Sequence, residues 1–414
     1  MSSHPDLAVD LFLPASGGTE ELLADEVRRI TGGPAEHARG GVWVRGSFET
    51  AMQLNLESRL AQRVLWPLVD GPYRDEQDLY ALARRVRWTD WMSPAQTLRV
   101  DVNAQRSPLT SLNFTALRIK DAVCDAMREA TGERPSVDTR RPDVPLVLYV
   151  GPDHAVLYLD TTGEALFKRG WRDARGGRED VKGEAPLKET LAAAMLAAIG
   201  WQGRKEDGPL LDPCCGAGTI AIEAAQMACG MAPGAQRRFA FERQLPFRPH
   251  LKAWDAMRAA ARARVHAPHV AVVAGDVSFR MTDFAERNAE RAGVKHAIEF
   301  KTMDALQRPA PAPHGVILMN PPYGERIAPK GQGSRAGPTL AREQFEGGDS
   351  SQVFFGSLAS HWKRHYAGWS AWVLTPDFKL PSHMRLKESR RVPLWNGPIE
   401  CRLFRFDLVA GSAR

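Results

Sequence analysis

Three stretches carry residues that could do chemistry. Leu210-Leu211-Asp212-Pro213-Cys214-Cys215-Gly216-Ala217-Gly218-Thr219-Ile220 passes from an apolar segment through an acidic residue into a glycine-rich turn, and a helix-compatible stretch runs on from Thr219. That order predicts strand, loop and helix, with the loop at the carboxyl end of the strand, where open α/β sheets bind ligands. Gly216 and Gly218 would let the backbone approach a ligand with no Cβ between, and amides at the helix start would face it. A dinucleotide turn would put a glycine at 221, where Ala221 stands, although alanine is sometimes tolerated there. A P-loop would need Gly-Lys-Ser/Thr next, and the sequence lacks it. The second stretch, His314 to Met319, reads as a buried strand that ends in Asn320-Pro321-Pro322-Tyr323-Gly324. The third is Val270 to Gly275, a strand closed by Asp276, and beyond it Ile298 to Lys301, followed by Asp304. A carboxylate at such a strand end can accept from both hydroxyls of a ribose. For either aspartate a helix cap or turn role is the competing reading.

The elements that must position these residues alternate between the two periodicities. An Ala-rich helix enters at Glu184 to Thr190 and runs to Ile199, a helical pattern covers Val277 to Ala292, and another covers Gln352 to Tyr366. Ala371 to Thr375 reads as a strand, and Arg385 to Leu394 and Ile399 to Val409 as two closing strands, one of them antiparallel. Between Ala328 and Gln352 the chain is rich in Gly, Ser and charge, which suggests a lid-like loop beside Asn320. The N-terminal part reads differently. Ala8 to Leu13 is a strand, Thr19 caps a helix presenting Leu22, Leu23, Val27 and Ile30, and Gly41 to Gly46 is a second strand. Thr97 to Val102 alternates as a half-buried strand, Ser111 to Ala130 is helical, and Leu146–Val150 with His154–Asp160 forms a hairpin around Gly151-Pro152-Asp153. Short strands interleaved with helices predict an α+β domain with an antiparallel sheet.

At 414 residues, two or three domains are expected. The 43% apolar and 25% charged content is ordinary for a soluble protein. No stretch is apolar and long enough to span a bilayer, and the N-terminus has no signal-peptide pattern, so a cytoplasmic location is expected. Five cysteines without a Cys-x-x-Cys pair suggest neither a disulfide framework nor a metal site. A net charge of +6 is compatible with a nucleic-acid partner. Two basic stretches, Arg134 to Pro142 and Lys168 to Arg178, concentrate arginine, which fits phosphate bidentately and stacks on bases. A solvated loop and a basic linker are the plainer readings of the two.

The Asp212 to Thr219 string resembles motif I of class I S-adenosylmethionine-dependent methyltransferases, and Asn320 to Tyr323 resembles the Asn-Pro-Pro-Tyr motif of methyltransferases acting on exocyclic amines. Arg59 to Leu65 and Arg134 to Pro142 resemble a THUMP domain, an RNA-binding module. Arg169 to Thr190, Gly230 to Arg243, Asn320 to Arg326 and Trp395 to Cys401 resemble the bacterial large-subunit ribosomal RNA guanine-N2 methyltransferases, a likeness that spans nearly the whole chain. It implies an α/β fold: a Rossmann-like class I methyltransferase, mostly parallel with an antiparallel last strand, preceded by an α+β ferredoxin-like and THUMP region. The implied domains are a ferredoxin-like unit at 1–55, THUMP at 56–165, a basic linker at 166–186 and the methyltransferase at 187–414.

The resemblance also implies roles. S-adenosylmethionine would be held by Asp212, Cys214, Gly216, Gly218, Thr219, Asp276, Asp304 and Asn320. Ser278 stands where the family usually has a second aspartate, which leaves the ribose contact to Asp276. Asn320, Pro321, Pro322 and Tyr323 would hold the target: an Asn oxygen and a Pro carbonyl accept the two amine hydrogens and aim its lone pair at the methyl group, while Tyr323 stacks on the base. Ribosomal RNA would be the partner, reached through Arg134, Arg140, Arg141, Lys168, Arg169, Arg172 and Arg175. Some family members are fused to a second methyltransferase domain; the chain ends at Arg414, so any second activity is expected elsewhere. The alternatives are guanine in transfer RNA, adenine N6 in RNA or DNA, a nicotinamide-dependent oxidoreductase, which leaves Asn-Pro-Pro-Tyr unexplained, and a non-catalytic RNA-binding assembly factor.

Overall fold

The structure is a computed structural model that describes residues 8–172, 187–321 and 348–409. The chain divides into two compact units, Met1–Arg169 with Ala232–Arg264, and Gly170–Met231 with Val265–Arg414.

The first unit opens with β1 (Val9–Pro14), α1 (Glu20–Thr31), β2 (Glu36–Ala38), β3 (Gly41–Gly46) and α2 (Phe48–Glu57). In β1 the alternation buries Leu11 and Leu13 on one face, while Phe12 turns to the other and packs beside Trp43 and Tyr158. The Thr19 hydroxyl donates to the Ser16 carbonyl and makes no side-chain cap to α1, so the cap expected of it is absent. A buried carboxylate fixes that helix instead: Glu26 accepts from the Ser58 hydroxyl at 2.7 Å and the backbone N–H groups of Arg59 and Leu60 at 2.9 and 3.2 Å. Burial pushes the Glu26 carboxyl above its usual range, against the pull of those donors.

The unit continues with β4 (Leu65–Pro72), α3 (Glu76–Arg84), β5 (Thr97–Ala104), α4 (Leu112–Thr131), β6 (Ser136–Val137), β7 (Val144–Val150) and β8 (His154–Asp160). All eight strands form one sheet, ordered β2-β3-β1-β4-β8-β7-β5-β6. It is not wholly antiparallel as expected: β5 pairs parallel with both β7 and β6. The physical reason is the 20-residue α4, which carries the chain from β5 back across the sheet so that the next strands run in the same sense.

The second unit begins with α5 (Glu189–Ile199), β9 (Leu210–Asp212) and α6 (Thr219–Ala228). Residues 232–264, inside the span expected for the methyltransferase domain, then pack with the first unit and end in α7 (Leu251–Ala263). The Gly234 N–H donates to the Leu56 carbonyl at 2.9 Å, and a Cβ there would come within 2.7 Å of the Asn55 carbonyl. Phe247, fully buried, meets the Phe48 ring edge-on at 4.9 Å, and Phe48 stacks on Trp66 at 4.2 Å.

The second unit resumes with β10 (Val272–Asp276), α8 (Phe279–Arg291), β11 (Ile298–Thr302), β12 (Gly315–Met319), α9 (Gly348–His365), β13 (Trp369–Thr375), α10 (Leu380–Met384), β14 (Arg390–Asn396) and β15 (Ile399–Asp407). The sheet order is β11-β10-β9-β12-β13-β15-β14. Its first five strands pair parallel, and β15 runs against both neighbours. This is the class I methyltransferase arrangement, with strand order reversing at β9, where ligands bind in doubly wound sheets. The sheet residues Leu211, Ile317, Met319, Val373 and Phe404 share a core with Leu358, Trp362 and Tyr366 of the α9 segment. The expected 328–352 loop lies largely outside the described residues, and its end belongs to α9.

Candidate active site

Neighbouring parallel strands bring four of the sequence-selected residues to one edge of the second unit. Val272, Val273 and Ala274 of β10 pair with Leu210, Leu211 and Asp212 of β9, and Asp276 of β10 faces Thr302 of β11. Asp304 follows β11 by two residues, and Asn320 directly follows β12. Asp212, Asp276, Asp304 and Asn320 therefore occupy the carboxyl ends of four adjacent strands.

The loop after β9 is built from backbone contacts. The Cys215 N–H donates to the Gly275 carbonyl at 2.8 Å, and the Gly218 N–H closes a turn onto the Cys215 carbonyl at 2.8 Å. The Ala217 carbonyl accepts from the Asn288 amide of α8 at 2.9 Å. Gly218 has φ +83°, and a Cβ on it would lie 3.0 Å from the Ala285 Cβ, so both conformation and space demand glycine. Gly218 is also the N-cap of α6, and among the described residues no side chain caps the first amides of that helix. Over Gly216 (φ +51°) the only atom of the described residues within 4 Å is the Met281 Cε, at 3.9 Å.

Asp276 binds this loop to the next strand end. Its Oδ2 accepts from the Gly216 N–H and its Oδ1 from the Ser278 N–H, each at 3.0 Å. Ser278 caps α8, accepting from the Met281 N–H at 3.5 Å. The Met303 N–H donates to the Asp276 carbonyl at 3.0 Å, which draws the Asp304 turn alongside; the Asp304 Oδ1 accepts from the Leu306 N–H at 2.9 Å. Both aspartates thus shape turns at their strand ends.

Asp212 lies beneath the loop, 1% exposed. Burial pushes its carboxyl up to about 8; the Cys214 N–H at 3.3 Å and the Arg308 guanidinium pull it down, and the Asp276 charge pushes it up. Arg308 gave no signal in the sequence. It is 3% exposed and donates toward the Ala274 carbonyl at 3.4 Å, and burial holds its guanidinium below the usual range. Its carbonyl accepts from the Tyr366 hydroxyl at 3.0 Å and meets the His361 Nε2 at 2.7 Å. These groups meet only when the turn after β11 folds against α9, so no local pattern announces them.

The Asn320 Oδ1 is buried and has no hydrogen-bond partner among the described residues. A buried amide oxygen without a donor costs about 1–3 kcal/mol, so this acceptor is a candidate for a donor beyond the described residues. Pro321 beside it is buried. Pro322 and Tyr323 lie outside the described residues, as does Arg175.

The basic residues divide. Arg134, Arg140 and Arg141 are exposed on the first unit; the Asp138 carboxylate accepts from the Arg140 and Arg141 N–H groups at 2.8 and 3.0 Å and forms their turn. Lys168 is exposed and pairs with Glu164 at 3.0 Å. Arg169 corrects the expectation of a surface contact: it is 2% exposed and donates to the Leu166 and Arg59 carbonyls at 2.9 and 2.8 Å. Arg172 is half-buried too. It reaches Glu189 at 2.5 Å and donates to the Thr219 hydroxyl at 2.5 Å, so it braces the start of α6. Among the described residues no cluster of His, Cys, Asp or Glu could hold a metal ion, and no helix is long and apolar enough to cross a membrane.

Residues 175–405 match the RMKL-like methyltransferase domain, residues 73–160 the THUMP domain and residues 10–65 the RlmL ferredoxin-like domain. The ribosomal RNA large subunit methyltransferase K/L of Syntrophotalea carbinolica is 36% identical over 98% of the chain, and that of Methylococcus capsulatus 35% over 97%. The chain spans about half the length of these curated relatives, 54% and 51%. A crystal structure of a protein complexed with S-adenosylhomocysteine superposes over 99% of this chain and 100% of its own, with a TM-score of 0.83 and 24% identity, and so shares the fold. The chain belongs to the RMKL-like methyltransferase domain family and carries a ferredoxin-like and a THUMP domain ahead of that domain.

Proposed function

We propose that this chain transfers a methyl group to the exocyclic N2 amine of a guanine in large-subunit ribosomal RNA. The observation that carries the reading is the buried Asn320 Oδ1, without a hydrogen-bond partner among the described residues, at the carboxyl end of β12 beside the glycine loop. The names of the two curated relatives support ribosomal RNA as the substrate class. The THUMP domain supports RNA binding.

The cofactor is S-adenosylmethionine, and the residues present suit it. Gly216 and the first amides of α6, which no side chain caps among the described residues, fit a ligand with a carboxylate. Asp276 has acceptor capacity for ribose hydroxyls, and Asp304 for an adenine amine. When bound, the cofactor supplies an electrophilic methyl group on a sulfonium. The chain's own work is positioning. The Asn320 oxygen accepts one hydrogen of the target amine and the Pro321 carbonyl accepts the other, which holds the lone pair in line for displacement. The ring nitrogen system withdraws that lone pair, so orientation counts for more than a base, and the extra proton leaves after transfer. A base inside a helix is out of reach, so the target nucleotide must leave its stack. We place the activity in the cytoplasm with its RNA.

The test is methyl transfer from labelled cofactor to RNA from a strain lacking this protein, with nucleoside analysis, wild type beside Asn320→Ala. We expect N2-methylguanosine in large-subunit RNA, reduced by about 10²-fold or more in the variant at saturating cofactor. Label in N6-methyladenosine, or confined to transfer RNA, would replace the substrate. Cofactor binding with no label in any RNA or ribosomal precursor would favour an assembly factor.

A further inference from the structure

A cavity of about 380 Å³ opens on the closing hairpin of the second unit, lined by Phe378, Arg391, Pro393, Arg402 and Phe404. Register explains its floor. Arg391 faces Phe404 and Pro393 faces Arg402 across β14 and β15, so all four side chains leave one face of the hairpin. Phe378 comes from the turn after β13 and closes one side. Phe378 is 52% exposed, with the Arg402 guanidinium 4.7 Å from the centre of its ring. Arg402 also holds Glu400 at 2.7 Å, whereas Arg391 has no ion pair among the described residues.

The position of this cavity follows from pairing. Met319 of β12 faces Val373 of β13, and Thr375, the last residue of β13, faces Arg402. The turn bearing Phe378 therefore leaves the sheet at the same edge as Asn320. An exposed aromatic ring offers a flat surface that any base can stack on, and guanidinium groups fit a phosphate. An acidic peptide would use the arginines but not the ring.

We propose that this cavity binds a nucleotide of single-stranded RNA flanking the target, its base against Phe378 and its phosphate against Arg391 and Arg402. The proposal rests on the reading of the chain as an RNA methyltransferase. It assigns to the hairpin a part in selecting sequence context, apart from the residues that hold the reacting amine.

The experiment uses the full chain and the variants Phe378→Ala, Phe378→Tyr and Arg391→Gln. The probe is a single-stranded RNA oligonucleotide of large-subunit sequence carrying 4-thiouridine, with binding and cross-linking read without cofactor and methyl transfer read separately. We expect Phe378→Ala to weaken RNA binding and raise KM about tenfold with kcat within twofold, and Phe378→Tyr to restore it. Arg391→Gln should lower the salt slope of binding by about 0.7, the value for one single-strand phosphate contact. Cross-linked peptides should contain Phe378. S-adenosylhomocysteine affinity and thermal unfolding should match wild type in all variants. Wild-type binding by Phe378→Ala, with or without a loss in Arg391→Gln, overturns the proposal, as does cross-linking that never reaches this turn. A wild type that cross-links at Phe378 yet methylates no guanine overturns the guanine reading and leaves the cavity assigned.

Discussion

At the scale of single residues, two side chains sit in states that water would not choose. Asn320 keeps a buried acceptor with no donor among the described residues, and on the proposed reading the cost is recovered when the target amine docks. Its truncation should therefore remove turnover while leaving the fold intact or slightly more stable, checked by urea unfolding beside the methyl-transfer assay. Asp212 is the other. Burial first, and the neighbouring Asp276 charge, place its folded-state carboxyl at about 8 against an unfolded value near 3.8. The folded chain then holds the proton more tightly than the unfolded chain. That contribution to stability is complete below about pH 4 and is lost as the pH rises through about 8. In Asp212→Asn the loss should disappear, so that urea midpoints of wild type and variant, measured without cofactor from pH 5 to 9, diverge as the pH rises. Parallel curves across that range would mean that Arg308 keeps Asp212 ionised throughout.

At the scale of elements, the strand ends were legible in the sequence because each is a local signal. An apolar run, an acidic residue and a glycine turn lie side by side at Leu210 to Gly218, and Asn320 follows its strand directly. Arg308, His361 and Tyr366 were not legible, because they meet across 58 residues of chain. The parallel pairing of β5 with β7 was also hidden: alternation tells which face a strand buries, not the sense in which its neighbour runs. Arg169 and Arg172 read as surface charge, since composition does not distinguish an arginine that meets phosphate from one that meets buried carbonyls or a buried carboxylate. The strand-end cluster also sets a steric condition at Gly275. A Cβ there would fall within 2.9 Å of the Lys301 carbonyl and against the Arg308 guanidinium. Gly275→Ala should destabilise the protein by about 1–3 kcal/mol, the usual cost of overpacking, and lower the thermal midpoint in calorimetry. An unchanged midpoint would mean that Arg308 yields without loss.

At the scale of the whole molecule, the first unit is assembled from two separated lengths of chain. Residues 232–264 give it Phe247, Phe241 and Trp254, all buried, with Phe247 against Phe48 and close to Trp66. Each such ring contributes about 1.5–3 kcal/mol by burial, and domains of this size are stable by only about 5–15 kcal/mol. Residues 1–169 produced alone should therefore be marginal, with cleavage by a nonspecific protease far faster than in the full chain. Resistance equal to that of the full chain would show that the returning segment adds little. The discontinuity also fixes an order of events during synthesis. Domains ordinarily fold as they emerge, amino end first, but this one lacks part of its aromatic core until codon 264 has been read and its product has cleared the ribosome. By then β9 and the glycine loop have already emerged, so the first strand of the second unit waits in the open while the unit that carries the THUMP domain is completed. A slow stretch of translation beyond that codon, or a chaperone that covers Phe48 and Trp66 before it, would raise the yield of folded enzyme more than the same help given later.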